Sequence, residues 1–166
     1  MVEREKGMKI SRKKAMNVVI LLAVVGCFFL FKHLLVSDEA RIKRVIYDGK
    51  AAVEKKDIEG VMEQVSRSYR DDYGLNKLAI MALFQRVFHQ FDDINIRIEE
   101  MQITINENKQ GRATILTWAT ARAQDKTGYL VGSSEKPCQI TFTLAKEGGK
   151  WRVIKAEGIA PEEIFL

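Results

Sequence analysis

The chain has 166 residues, a formal net charge of +5 and 30% charged residues. The excess positive charge lies near the N-terminus, since residues 1–37 carry seven basic and two acidic side chains, whereas residues 38–166 carry twenty of each. A balanced charge gives the larger part no electrostatic footprint for a phosphate backbone, so the composition argues against nucleic-acid binding.

An apolar stretch covers residues 15–36, and its first seventeen residues contain no charge. As a helix, the stretch would rise roughly 33 Å, enough to cross a hydrocarbon core of about 30 Å. Residues 1–14 form a basic tail, which the positive-inside rule keeps in the cytoplasm. The sequence therefore predicts a single-pass protein of the cytoplasmic (inner) membrane, with residues 38–166 as an extracytoplasmic domain.

Cys27 suggests a second kind of membrane anchor as an alternative to the span. Val24-Val25-Gly26-Cys27 resembles a bacterial lipobox, in which Cys27 would be lipidated and become the mature N-terminus. The apolar run continues past this cysteine through Phe28-Phe29-Leu30-Phe31, which favours an uncut span. Both alternatives tether the following domain to a membrane.

Apolar residues at helical spacing follow the anchor and predict three helices. The first covers residues 38–56, and Asp57 caps a second helix over residues 58–65. A polar loop at residues 66–74 leads to the third helix, which covers residues 75–91.

From Ile94 onward the apolar residues alternate with polar ones, which indicates strands. The apolar residues move from even-numbered to odd-numbered positions at Glu99-Glu100, and this change predicts a β-bulge there. The predicted strands are residues 94–105, 112–124, 137–146 and 151–157, with a loop at residues 125–135. Three helices before these strands predict an α+β fold, with the helices packed on one face of a bent four-stranded antiparallel sheet.

The second predicted strand has one face of mostly small side chains, among them Ala113, Ala119 and Ala121. Such a face either lets a helix approach closely or leaves room for a cavity. The sequence leaves both alternatives open.

Three features together resemble the nuclear transport factor 2-like superfamily, whose cystatin-like fold is cone-shaped. They are the order of three helices and four strands, the loop Ser66-x-x-Tyr69-x-Asp71-Asp72-x-Gly74, and the ending FTLAKEGGKWRVIKAEGI. The resemblance covers residues 38–158 and implies a pocket between sheet and helices. The superfamily contains isomerases, dehydratases, lipid carriers and scaffolds, so the fold alone does not determine the function.

Aromatic side chains are the candidates for the lining of that implied pocket. They are Phe84, Phe88, Trp118 and Phe142.

The loop Tyr69–Asp72 holds the catalytic candidates Tyr69, Asp71 and Asp72, because paired carboxylates beside a phenol could move protons. The competing interpretation is structural, since aspartate oxygens in loops accept backbone N–H groups. His89 falls on the polar side of its predicted helix, where we expect it to be solvated.

No cofactor or metal is expected from the sequence. Its two cysteines lie far apart, at Cys27 and Cys138, and form no metal-binding pattern. Glycine-rich phosphate loops, nucleophile elbows and dinucleotide fingerprints are also missing.

Two functions of different classes follow from these observations. The first is a non-enzymatic, membrane-anchored binding or scaffold domain that contacts an envelope protein partner, a second copy of itself or an apolar ligand. The second is a small cofactor-free acid–base enzyme of the isomerase or dehydratase type, which would use the Asp71/Asp72 region. A polar dyad aimed into a cavity would favour the enzyme, and an apolar interior would favour the binding domain.

Overall fold

A computed structural model describes residues 37–108 and 110–159. The predicted basic tail, the predicted span 15–36 and the lipobox cysteine Cys27 lie outside these residues. Within the two described ranges, no helix combines the length and the apolar character that a membrane crossing requires.

In the part of the chain that the structure describes, three helices precede the strands, as the sequence predicts for residues 38–91. Helix α1 is Asp38–Glu54, helix α2 is Ile58–Gln64 and helix α3 is Lys77–Gln90. The predicted cap at Asp57 is confirmed, because its side chain accepts a hydrogen bond from the backbone N–H of Gly60 at 3.0 Å. Asn76 caps α3 in the same way, through the N–H of Ala79.

The five strands of the sheet are β1 (Asp92–Ile105), β2 (Gln110–Ala123), β3 (Lys126–Val131), β4 (Cys138–Glu147) and β5 (Lys150–Glu157). All neighbouring pairs are antiparallel, in the order β1-β2-β4-β5. Strand β3 pairs with the C-terminal part of β2, and β4 pairs with its N-terminal part.

The prediction of a four-stranded sheet with a loop at residues 125–135 is therefore wrong. Strand β3 occupies most of that segment. It was missed because it is short, contains Gly128 and is exposed along most of its length, so it shows no alternation of buried and solvated side chains.

The predicted β-bulge is confirmed. In the pairing of β1 with β2, Ile98 lies opposite Thr117 and Glu100 lies opposite Leu116, so Glu99 is the extra residue. This extra residue keeps isoleucines and Met101 on the face that packs against the helices, on both sides of the bulge.

The helices pack on one face of the sheet, and the contact is tightest where α1 begins. We call this region the packed end and define it by Ile42, Gly111, Ala113, Leu144 and Trp151. The side chains of Ile42, Ala113 and Leu144 are fully buried, and a Cβ at Gly111 would overlap Cδ1 of Ile42. The packed end is therefore filled by direct contact between α1 and the sheet.

A polar contact fixes the start of α1 to the last two strands. Asp38 accepts hydrogen bonds from Lys146 Nζ at 2.8 Å and from Trp151 Nε1 at 3.2 Å. These two donors lower the pKa of the Asp38 carboxyl. The packed end is thus closed by side chains from both layers.

Candidate functional site: an apolar cavity

A cavity of about 310 Å³ lies between helices and sheet, next to the packed end. Alternate residues of β2 face it, namely Ile115, Thr117 and Ala119. We call the part of the domain around these three residues the hollow middle.

The helices contribute mostly aliphatic side chains to the wall. The apolar residues that line the cavity from the helices are Val45, Ile46, Val53, Val61, Ile80, Leu83, Phe84 and Val87. From the sheet, isoleucines at positions 94, 96, 98, 115 and 140 face the same space. The volume is at the lower end of the range for small-molecule sites, which are typically apolar with few polar groups.

One polar corner of the wall is formed by Tyr69 and Asp71. The Tyr69 hydroxyl donates a hydrogen bond to Oδ2 of Asp71 at 3.2 Å, and only 5% of Tyr69 is exposed. Burial, together with the charge of Asp71, raises the pKa of the Tyr69 phenol above its ordinary value. The phenol therefore keeps its proton in the folded domain.

The Asp71 carboxylate accepts hydrogen bonds from its own loop. Its Oδ1 accepts the backbone N–H groups of Tyr73 at 3.0 Å and Leu75 at 2.8 Å, while its Oδ2 accepts the Tyr69 hydroxyl. These three donors occupy most of the roughly four lone-pair sites of the carboxylate and fix it in the loop, as in a structural cap. The geometry favours the structural interpretation of Asp71.

Asp72 does not line the cavity. It is exposed, and its carboxylate lies 2.9 Å from the ammonium of Lys155 on β5. The two neighbouring aspartates therefore face different surroundings and do not form a pair at the cavity wall.

The buried polar side-chain atoms of the wall also have hydrogen-bond partners within the protein. Thr117, which is buried, donates its hydroxyl to the carbonyl oxygen of Arg97 at 2.6 Å. Across the residues that the structure describes, no buried side-chain nitrogen or oxygen is left without a hydrogen-bond partner. The cavity consequently presents little that would pair with a polar ligand in its interior.

The structure separates the four aromatic candidates. Phe84 and Phe142 line the cavity. Phe88 lies next to it, 5.7 Å from Phe84 between ring centroids, and packs with Val87, Ile94 and Ala121.

Trp118 lies away from the cavity, because successive residues of a strand point to opposite faces and Thr117 and Ala119 take the inner one. Its indole N–H donates to Glu99 at 2.9 Å, and its ring meets Tyr129 edge to face.

Sequence reasoning missed the ionic pair that Lys50 forms at the cavity. Lys50 lines the wall, and its ammonium lies 2.7 Å from Oε2 of Glu54. The spacing of four residues on a predicted helix is the signal that could have found this pair. Its position at the cavity depends on how α1 packs on the sheet, and no local pattern encodes that.

Metal binding finds no support among the described side chains, where no three His, Cys, Asp or Glu residues group closely enough to hold an ion. His89 is exposed on α3, as its position on the polar side predicts.

Comparison with solved structures identifies the fold as cystatin-like, of the nuclear transport factor 2 type. A candidate scytalone dehydratase of Novosphingobium aromaticivorans superposes with a TM-score of 0.61 at 14% identity, over 70% of this chain and 79% of that one. A nuclear transport factor 2-like protein of the same organism matches with a TM-score of 0.56 at 14% identity, over 91% and 90%.

A cystatin-like protein of unknown function from Nostoc punctiforme matches with a TM-score of 0.53 at 16% identity, over 72% of this chain and 87% of that one. No protein-family model and no curated protein sequence matches the chain. These similarities establish the fold, and the function has to be inferred from the residues of the site.

Proposed function

We propose that this protein is a membrane-anchored, non-enzymatic binding module whose central cavity takes an apolar ligand. The observation that carries the proposal is the character of the cavity wall. About 310 Å³ of space is lined mainly by aliphatic and aromatic side chains, and the buried polar atoms of the wall are already hydrogen-bonded inside the protein.

The size and polarity of the cavity define the ligand. At about 30 Å³ for each non-hydrogen atom or small group, the space would hold roughly ten of them. A strongly polar ligand would bury groups that find no partner there, whereas an apolar one gains about 25 cal/mol for each Å² removed from water. A short hydrocarbon chain or a compact apolar molecule fits both conditions.

The proposed location rests on the sequence. Residues 15–36 anchor the chain in the cytoplasmic membrane, with residues 1–14 inside and the domain outside. The domain then works beside the membrane, where it can receive an apolar ligand or contact an envelope protein.

Reporter fusions test this location. A reporter active only outside the cytoplasm should be active after Leu166 and inactive at Met1. The opposite pattern would contradict the orientation. A diacylglyceryl-modified Cys27 at the mature N-terminus would contradict the uncut span.

Photolabelling of the full-length chain in lipid nanodiscs tests ligand binding. A ten-carbon alcohol that carries a diazirine should label peptides around Ile115–Ala119 and Leu83–Val87, as mapped by mass spectrometry. Ala119→Phe fills the cavity and should abolish this labelling. Thr120→Phe adds a similar ring to the next residue of β2, on its opposite face, and should leave the labelling unchanged.

Equal labelling of both variants and of the unchanged protein would contradict the proposal. Circular dichroism melts of each variant show whether a loss of labelling reflects a filled cavity or an unfolded domain.

An acid–base enzyme is the second candidate, and the Tyr69–Asp71 hydrogen bond on the cavity wall is the observation in its favour. Against it stand the three donors that Asp71 already accepts and the protonated, buried phenol. An increase in melting temperature in Asp71→Asn would favour the enzyme, because carboxylates kept for chemistry tend to cost stability.

A further inference from the structure

We propose that the ligand of the cavity is a single-chain amphiphile with a carboxylate head, held at Lys50. This inference rests on the proposed function, and it adds the chemical class of the ligand and the residue that recognises its head.

The ionisable and polar side chains of the wall are Lys50, Gln64, Tyr69, Asp71, Thr117 and Glu157. Among the described lining residues, Lys50 is the one with a cationic side chain, and 24% of that side chain is exposed. A partly exposed ammonium beside an apolar cavity provides a site for an anionic head whose chain lies inside.

The ammonium of Lys50 has capacity for a second partner. It carries three N–H donors, and its ion pair with Glu54 places one carboxylate beside it at 2.7 Å. Lys155 shows the corresponding arrangement elsewhere in this domain, where one ammonium lies 2.9 Å from Asp72 and 3.1 Å from Glu157. A ligand carboxylate at Lys50 would reproduce that pattern.

Glu54 keeps its position when Lys50 turns toward a ligand. Its Oε1 accepts the backbone N–H of Ile96 on β1 at 2.8 Å, so it is held by the sheet independently of Lys50. Ile96 itself lines the cavity, which places this junction of α1 and β1 at the wall. The fixed carboxylate therefore holds the lysine ammonium close to the cavity wall.

A cationic head finds a poorer site. The two acidic side chains of the wall are Asp71, which accepts three donors, and Glu157, which is paired with Lys155. An amine would have to displace one of these partners, or compete with Lys50 for Glu54, whose Oε1 already accepts the N–H of Ile96. The wall therefore discriminates between heads by charge.

Competition in the photolabelling experiment tests the inference on the full-length chain in nanodiscs. Decanoate, 1-decanol and decylamine share one chain length and differ in the head. We expect decanoate to suppress labelling at a concentration about tenfold lower than 1-decanol, the advantage of one charge-assisted contact, and decylamine to be the weakest.

The variant Lys50→Met keeps an unbranched side chain and removes the charge. It should abolish the advantage of decanoate, so that decanoate and 1-decanol compete at similar concentrations. Lys43→Met removes the same charge from an exposed position of α1 and is the matched control, with the tenfold ratio retained.

A tenfold advantage that persists in Lys50→Met would overturn the assignment of Lys50. Equal competition by decanoate and 1-decanol in the unchanged protein would overturn the carboxylate class, even where Lys50→Met does not fold. Failure of the proposed function gives a different result, since no competitor would then affect labelling of the cavity peptides.

Discussion

Strand β2 presents small side chains to the helices at two places, and the two have opposite surroundings. At the packed end, Gly111 and Ala113 let Ile42 of α1 press directly onto the sheet. In the hollow middle, Thr117 and Ala119 face a cavity. A small residue on a sheet therefore permits either contact or space, and the side chain opposite decides which of the two results.

The difference has a functional consequence. The packed end stabilises the domain and fixes α1. The side chains around the hollow middle make fewer van der Waals contacts, because they line a cavity. Four substitution experiments separate these roles, from the largest expected effect to the smallest.

Matched leucine truncations compare the two regions. Leu144→Ala removes a fully buried side chain of the packed end, and we expect the free energy of unfolding to fall by about 3–4 kcal/mol. Leu83→Ala acts on a partly exposed side chain that already borders the cavity, so the expected loss is about 1–2 kcal/mol. Urea denaturation measures both, and equal losses would show that the middle is packed as tightly as the end.

Added methyl groups make the opposite comparison. Gly111→Ala places a Cβ on Cδ1 of Ile42 and 3.3 Å from the Trp151 ring, and we expect a loss of about 1–3 kcal/mol. Ala119→Val extends into the cavity and adds a β-branched residue to a strand, so its stability should be unchanged or raised by up to about 1 kcal/mol. A large loss in Ala119→Val would contradict the cavity.

The two adjacent aspartates test the loop that borders the hollow middle. Asp71→Ala frees three donors and should lower the free energy of unfolding by about 1–2 kcal/mol. Asp72→Ala removes an exposed ion pair with Lys155 and should cost no more than about 0.5 kcal/mol. Thermal melts of the two variants measure these losses. A larger loss in Asp72→Ala than in Asp71→Ala would restore Asp71 as a catalytic candidate.

Alkaline pH should lower the free energy of unfolding, because Tyr69 of this loop is buried in the folded domain. Its pKa is raised in the folded domain, so between about pH 10 and the folded pKa the unfolded chain releases a proton that the folded one retains. Stability should therefore fall as the pH rises above about 10, by roughly 1 kcal/mol at pH 11. Denaturation at pH 8 and pH 11 measures this loss, and the loss should be smaller in Tyr69→Phe, which has no phenol to ionise. An equal loss of stability in the variant and in the unchanged protein would contradict the buried phenol.

Local patterns predicted the elements that depend on neighbouring residues. Asp57 caps its helix because its side chain reaches an N–H three residues on, and the bulge at Glu99 follows from a change of phase within one strand. Strand β3 has no such local signal, since it is held by pairing with β2 and exposes most of its side chains.

The cavity could be predicted only as one of two alternatives. The alanines of β2 are visible in the sequence, but Ile42, which fills the space at Gly111, lies more than sixty residues away. Tyr69 and Asp71 are visible in the sequence as part of a polar loop. The hydrogen bonds that Asp71 accepts from the backbone of residues 73 and 75 distinguish a cap from a catalytic pair. The position of Lys50 at the cavity wall depends on how α1 packs on the sheet, which is also a long-range property.

Xenon is the most direct probe of the hollow middle, because it occupies apolar cavities that water leaves empty. Crystals of the protein pressurised with xenon should show density between Ile115, Ala119 and Leu83, and none at the packed end around Ile42 and Leu144. Xenon absent from the hollow middle, with side chains filling that space, would contradict the central claim that this domain keeps an apolar cavity for a ligand.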